Sequence, residues 1–212
     1  TAPIFGWLAV DKMTRAAAVL QRDDDAARYG AEAAAMKSAI QAAMIAADGR
    51  LRYERQGAYV LMLAFGLVPE TPVKSFGDRL AALIHENGDR LDTGFLPTPY
   101  LLDALCLSGH RDLAYTLLYQ TQSPSWLGQV RQGATTIWES WEMYLPDGTP
   151  KKESFNHYTY GTVDDWIFRN IGGLAQHGTG YRELIIHPLP DSSLTWASRS
   201  FETENGRAAV SW

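Results

Sequence analysis

Cysteine is almost absent from this sequence: Cys106 is the single one in 212 residues. An internal disulfide is therefore impossible, and so is a thiolate metal site. Cys106 lies in the apolar run Leu101-Leu102-Asp103-Ala104-Leu105-Cys106-Leu107, where a buried, inert thiol is expected, because free Cys packs like a small hydrophobe. Long apolar runs are missing too. None approaches the roughly 18–20 residues needed to cross a bilayer, so no membrane partner is expected. Positive charge is scarce: 19 Lys and Arg against 24 Asp and Glu leave a net charge of −5. Without clustered Lys and Arg, a nucleic-acid backbone is not expected as a partner either. His85, His110, His177 and His187 have no partner at metal-ligand spacing, and Asp23-Asp24-Asp25 lacks the remaining ligands of a calcium loop. No metal or cofactor is expected. The sequence opens with neither an initiator Met nor a basic, then apolar, leader, and the compartment stays undecided.

What is present is a soluble, core-forming composition with 46% hydrophobic residues and a helical rhythm. Trp7, Val10, Met13, Ala17 and Leu20 recur at three- and four-residue steps, and Tyr29, Ala33, Met36, Ile40 and Met44 do the same. Asp23-Asp24-Asp25 between them offers an N-cap and acidic first-turn residues, so the two segments predict a helical hairpin. Further helices are expected over Ala58–Phe65, Val73–Ile84 and Pro97–Leu107, on the face Leu113, Ala114, Leu117, Leu118, and along Val163, Ile167, Ile171 and Leu174. A long loop-like stretch runs from Ser123 to His157. No fixed-period motif marks a short-repeat solenoid. Helical hairpins with longer loops on one side suit an α/α toroid whose loops build a site. The texture changes near Gly178: Leu184-Ile185-Ile186, a strand at Leu194–Ser198 and a type I′ turn at Asn205-Gly206 announce a β region from about residue 181. The expected organisation is residues 1–178 as a helical domain and 179–212 as a truncated β domain.

Chemistry concentrates between Gly133 and His157. Glu139 sits between Trp138 and Trp141, and His157 follows eighteen positions later across a Pro-Asp-Gly-Thr-Pro loop. Both could face one cavity. Aromatic walls stack on sugar C–H faces, His157 and Asn156 can bond ring hydroxyls, and glycoside hydrolysis needs a carboxyl pair with divergent pKa values. The competing reading is structural: a Glu beside Trp can simply hold an indole or a backbone amide. Asn156 or Ser154 is also a candidate cap for the following helix.

The segments Gln56 through Gly66-Leu67-Val68-Pro69, Thr93-Gly94-Phe95-Leu96-Pro97-Thr98-Pro99-Tyr100, Pro124-Ser125-Trp126, Gly133-Ala134-Thr135-Thr136-Ile137-Trp138-Glu139 and Ser154 to Gly161 together resemble the bacterial α-L-rhamnosidases of glycoside hydrolase family 78. The resemblance covers essentially the whole chain. It implies a mainly α fold that forms part of an (α/α)6 barrel, with residues from Leu184 entering a C-terminal β-sandwich. It implies an inverting hydrolase acting on terminal α-L-rhamnosides, with Glu139 as general base and His157 contacting the sugar. Trp138, Trp141, Asn156, Phe95 and Tyr100 are the further substrate-binding candidates; for the four aromatic residues core packing is the alternative. The expected partner is a rhamnose-containing glycoside or oligosaccharide, in the bacterial cytoplasm, in the periplasm or outside the cell.

One departure from the family pattern matters. The family's general acid lies upstream in an Arg-Asp-Glu-Arg-type motif, and no such motif occurs here. The chain also offers about eight helices where an (α/α)6 barrel has twelve. The resemblance therefore implies a C-terminal part of the enzyme that needs the missing N-terminal part, and little or no hydrolysis by this chain alone. Glu142 is the second carboxylate at the site, expected in a supporting role. Two other readings remain at this point: a non-catalytic helical carbohydrate-binding or scaffold fragment, and an α/α-toroid hydrolase of different sugar specificity.

Overall fold

The computed structural model describes residues 1–69 and 73–212. They form two compact units, Thr1–Ser125 and Trp126–Trp212.

The first unit is helical. α1 (Ala2–Val19) and α2 (Asp23–Met44) form the expected hairpin. The buried Trp7 indole donates to Ala33 O at 3.1 Å, which joins the helices and satisfies its N–H. Ile4, Trp7 and Ala17 mark the buried face of α1, yet Met13 is 48% and Leu20 69% exposed. The reason is angular. At about 100° per residue, a stripe built mostly of three-residue steps slips backward around the helix, and Met13 and Leu20 leave the buried face. The N-cap of α2 is Arg22, with no side-chain cap. Asp23, Asp24 and Asp25 are its first helical residues, so they act on the helix dipole rather than as a cap.

α3 (Gln56–Ala64), α4 (Val73–Glu86), α5 (Thr98–Leu107) and α6 (Arg111–Tyr119) follow. Tyr59 through Leu63 are all nearly inaccessible, so α3 is covered all round. Phe76, Leu80 and Ile84 of α4 and Leu101 and Leu105 of α5 complete this core. Cys106 is half-buried rather than enclosed, because the inward side of α5 at this level is taken by Ala104 and Leu105 while Leu107 faces out. The Thr93-Gly94 loop is fixed by polar groups. Gln56 donates to Arg90 O at 3.1 Å and accepts from Asp92 N at 2.8 Å. Thr98 Oγ1 lies 2.8 Å from both Gly94 O and Thr93 Oγ1.

The second unit opens with the short α7 (Trp126–Arg131), which falls inside the stretch expected to be loop. The chain then makes an irregular hairpin and passes through a 3-10 turn (Thr159–Thr162), α8 (Val163–Trp166) and a π turn (Ile167–Ile171). The helical run stops at Ile171, short of Leu174. At Gly173 the backbone has φ +72°, and a Cβ there would meet Pro188 N at 2.4 Å. Leu174 instead begins β1 (Leu174–His177), antiparallel to β2 (Glu183–Ile186). The β region thus starts earlier than residue 181. β3 (Ser198–Thr203) pairs with β4 (Gly206–Ser211). Only Ser198 of the expected Leu194–Ser198 strand belongs to β3. The connecting turn is not type I′. That type needs positive φ at both central residues, whereas the loop residues are Glu204 and Asn205 and the positive φ, 117°, belongs to Gly206. Thr203 Oγ1 accepts from Asn205 N and donates to Gly206 O, and these two bonds replace the turn's expected backbone chemistry.

A polar cluster locks the first unit. The buried Tyr59 hydroxyl donates to Glu54 Oε1 at 2.6 Å and accepts from Leu51 N at 3.1 Å. Arg79 Nε donates to Glu54 Oε2 at 2.6 Å. Arg79 holds the Glu54 carboxyl below its ordinary 4.5. This stabilisation is complete above the unfolded value of 4.5 and disappears as pH falls through the lower folded value. Urea titrations between pH 6 and pH 3 should show that loss, and Glu54→Gln should flatten it. Tyr59→Phe should cost about 1–3 kcal/mol at neutral pH, because it strips a buried amide and a carboxylate of their partner; an unchanged urea midpoint would refute the locking role.

Candidate active site

The segment from Gln132 to Tyr158 carries no regular helix or strand, yet it is tightly organised. Glu139 N donates to Ser154 O at 2.9 Å, and His157 N donates to Ile137 O at 2.8 Å. Further out, Lys151 N bonds Met143 O and Leu145 N bonds Thr149 O, each at 2.8 Å. The Pro-Asp-Gly-Thr-Pro loop is therefore the tip of a hairpin whose base brings Glu139 beside Ser154 and Ile137 beside His157. Asp147 Oδ1 accepts Thr149 N at 2.9 Å and shapes the tip; this bond also holds the Asp147 carboxyl below its usual range.

Glu139 is half-buried. Its Oε2 accepts Ser154 N at 2.6 Å, and its Oε1 takes no hydrogen bond from the described residues. One oxygen is thus anchored by a backbone amide, and the other is left for a ligand or a water. Glu142 is exposed and makes no hydrogen bond or ion pair among the described residues. His157 is half-buried, and its Nδ1 lies 2.9 Å from Thr159 Oγ1 and accepts from Thr159 N at 3.4 Å.

The two tryptophans differ. Trp138 is 3% exposed and packs edge-on against Tyr144 at 5.7 Å and Phe155 at 5.5 Å. Trp141 is half-buried, lies flat on Tyr160 at 3.8 Å and meets Trp126 edge-on at 5.6 Å. Asn156 is exposed. It caps no helix and neither does Ser154: the 3-10 turn has Tyr158 at its N-cap and no side-chain cap. Ser154 Oγ is occupied in closing its own turn, accepting from Asn156 N and donating to Asn156 O. Tyr158, 83% exposed, lies parallel to His157 at 5.1 Å.

Glu139, Trp138, Trp141, Asn156 and His157 all lie in the second unit. Phe95 and Tyr100 lie in the first. Phe95 is 39% exposed, whereas Tyr100 packs edge-on against Phe65 at 4.8 Å. In that unit a cavity of about 410 Å³ borders the Thr93-Gly94 loop, lined in part by Tyr53, Arg55 and Asp92, which sequence reasoning did not single out. It also missed Gln129, Ser154 and Thr159 as partners of the site. Their roles depend on backbone atoms, which no residue pattern announces. No helix among the described residues is long and apolar enough to cross a membrane, and no group of three or more His, Cys, Asp or Glu among them could hold a metal ion.

Comparison with known proteins gives a consistent result. Residues 1–171 match the bacterial alpha-L-rhamnosidase 6 hairpin glycosidase domain, and residues 173–212 match the bacterial alpha-L-rhamnosidase C-terminal domain. An alpha-L-rhamnosidase of Streptomyces avermitilis is 43% identical over 89% of this chain and 18% of its own length. One from Alteromonas sp. is 37% identical over 90% of this chain and 21% of its own length. The chain thus spans about a fifth of the curated relatives it matches. The crystal structure of the Streptomyces avermitilis enzyme complexed with L-rhamnose is similar at TM-score 0.94 and 40% identity, over 100% of this chain and 21% of that one. The native Aspergillus terreus enzyme is similar at TM-score 0.92 and 34% identity, over 97% of this chain and 24% of that one. These matches bear out the fold class expected from the sequence, mainly α and part of a helical six-hairpin glycosidase domain, followed by short antiparallel strands.

The aromatic packing beneath Glu139 generates a prediction. Trp138→Ala should destabilise the protein by about 3–5 kcal/mol, the usual cost of emptying a buried Trp site, as read from the denaturant midpoint. A shift below about 1 kcal/mol would mean that Trp138 is not the packed floor of the hairpin.

Proposed function

This chain belongs to the bacterial α-L-rhamnosidases, and on that premise we propose that it supplies the base-bearing part of an inverting active site for terminal α-L-rhamnosides. The observation that carries the proposal is the Glu139 carboxylate, anchored at Oε2 by Ser154 N and open at Oε1, on a hairpin whose base also holds His157. The similar Streptomyces structure holds L-rhamnose, and we assign that sugar to this site.

In the proposed reaction, Glu139 Oε1 takes a proton from a water on the face of the ring opposite the leaving group. The water oxygen forms the new bond to the anomeric carbon as the glycosidic C–O bond breaks. The departing oxygen takes a proton from a separate carboxylic acid, which in inverting enzymes stands roughly 6.5–9.5 Å from the base to leave room for the water. Since the chain spans about a fifth of its relatives, we place that acid in sequence outside these 212 residues. Fixing Oε2 by a backbone amide holds the lone pair of Oε1 on line without consuming it, which is the geometric requirement on a general base. His157 bonds a sugar hydroxyl, its ring oriented by Thr159. Trp141 and Asn156 line the site, and Trp138 acts through packing.

In an enzyme carrying the whole six-hairpin domain, Glu139→Gln should lower kcat on an aryl α-L-rhamnoside by about 10²–10⁴-fold, the usual worth of general base catalysis. L-Rhamnose binding, measured by calorimetry, should persist. Turnover like that of the wild type would rule Glu139 out. The isolated 212-residue chain should hydrolyse the same substrate little or not at all; robust turnover would show that the acid lies within it.

A further inference from the structure

We propose that Gln129 is the positioning residue of Glu139: its buried carboxamide grips the backbone on both sides of the base and so fixes where the carboxylate sits. The inference rests on the reading of Glu139 as the base. Gln129 is 2% exposed and lies in α7. Its Nε2 donates to Ser140 O at 3.0 Å, and its Oε1 accepts from Trp138 N at 3.4 Å. The residue between those two partners is Glu139.

The chain bends at Glu139, Ser140 and Trp141, and one carboxamide reaches both Trp138 N–H and Ser140 C=O there. The Glu139 N–H itself bonds Ser154 O. The base residue is therefore held from two sides, by the returning limb of the hairpin and by the Gln129 amide. A side-chain amide offers its donor and its acceptor on separate atoms, so it can hold a backbone N–H and a backbone C=O at two positions at once, and Asn is one methylene shorter than Gln.

α7 carries this grip to the rest of the site. Trp126, 7% exposed, donates its indole N–H to Tyr160 O at 2.9 Å. One six-residue helix thus ties down the segment that bears Glu139 and the segment that follows His157. Removing the amide leaves Trp138 N–H and Ser140 C=O without it, and the chain must move to find other partners. A shift on the order of 1 Å at a catalytic group can cost up to about 10²-fold in rate.

The test is a double-mutant cycle in an enzyme carrying the whole six-hairpin domain, assayed on an aryl α-L-rhamnoside. Gln129→Met removes donor and acceptor at nearly constant volume. Its kcat should fall about tenfold or more while KM stays within about twofold, because the lost alignment is felt only in the transition state. L-Rhamnose affinity should be unchanged. Added to Glu139→Gln, it should cost nothing further, since there is no base left to misplace. Losses that multiply in the double variant, or an unchanged kcat for Gln129→Met, would overturn the proposal. If Gln129→Met does not fold, Gln129→Glu keeps the acceptor for Trp138, removes the donor to Ser140 and enters the same cycle with the same expected outcome. Undiminished turnover by Glu139→Gln would remove the base assignment first, and this inference with it.

Discussion

The stretch that carries Glu139 has no helix or strand to satisfy its backbone, so each amide and carbonyl in it must find a partner individually. An unpaired buried peptide group costs about as much as a lost hydrogen bond, and a segment about 25 residues long could not be held in place with many of them. Every polar feature of the site follows from that constraint. Glu139 pairs with Ser154, His157 with Ile137, Lys151 with Met143, and the other side of Glu139 is held by Gln129. The carboxylate is positioned as a by-product. Once the two limbs are paired, Ser154 N comes to lie 2.6 Å from Oε2, and no cation is needed to fix it.

The first unit uses the same device in a different setting. Its helices satisfy their own backbones, but the run from Arg90 to Thr98 does not. Gln56 donates to the carbonyl of Arg90 and accepts from the amide of Asp92. Gln129 takes the opposite order, accepting from the amide of Trp138 and donating to the carbonyl of Ser140. In both cases a nearly inaccessible glutamine projects from a helix and satisfies backbone groups that no helix or strand pairs. The loops so held are Thr93-Gly94-Phe95 and Trp138-Glu139-Ser140, two of the segments through which the family is recognisable in the sequence. Buried amides of this kind are fully satisfied, which makes them rigid supports rather than weak points.

Much of the fold was legible because helix periodicity and glycine punctuation report local geometry. The hairpin of α1 and α2 and the helices from α3 to α6 could be read within a few residues. The errors share a cause. Met13 and Leu20 matched a spacing rule but not the angle it stands for. Leu174 continued an apolar series that Gly173, pressed against Pro188, brings to an end. Asn205-Gly206 carried the right turn residues in a register shifted by one. In each case the residue pattern left more than one local geometry open. At the site, the identities of Glu139 and His157 came from motif resemblance, whereas Gln129, Ser154 and Thr159 act through main-chain atoms or local turns and leave no compositional trace.

The Trp-Glu-Ser-Trp-Glu run also shows why two neighbouring carboxylates need not be equivalent. The chain bends through Glu139, Ser140 and Trp141 without forming a helical turn, and the two carboxylates end in different surroundings. The structure expresses this difference as burial: Glu139 is half-enclosed and anchored, while Glu142 is exposed. The aromatics divide in the same way, with Trp138 turned into the packing of Tyr144 and Phe155 and Trp141 stacked on Tyr160. A polar–aromatic string that looks nearly symmetrical in sequence thus becomes one anchored carboxylate on an aromatic floor, because its backbone is gripped from two sides at Glu139.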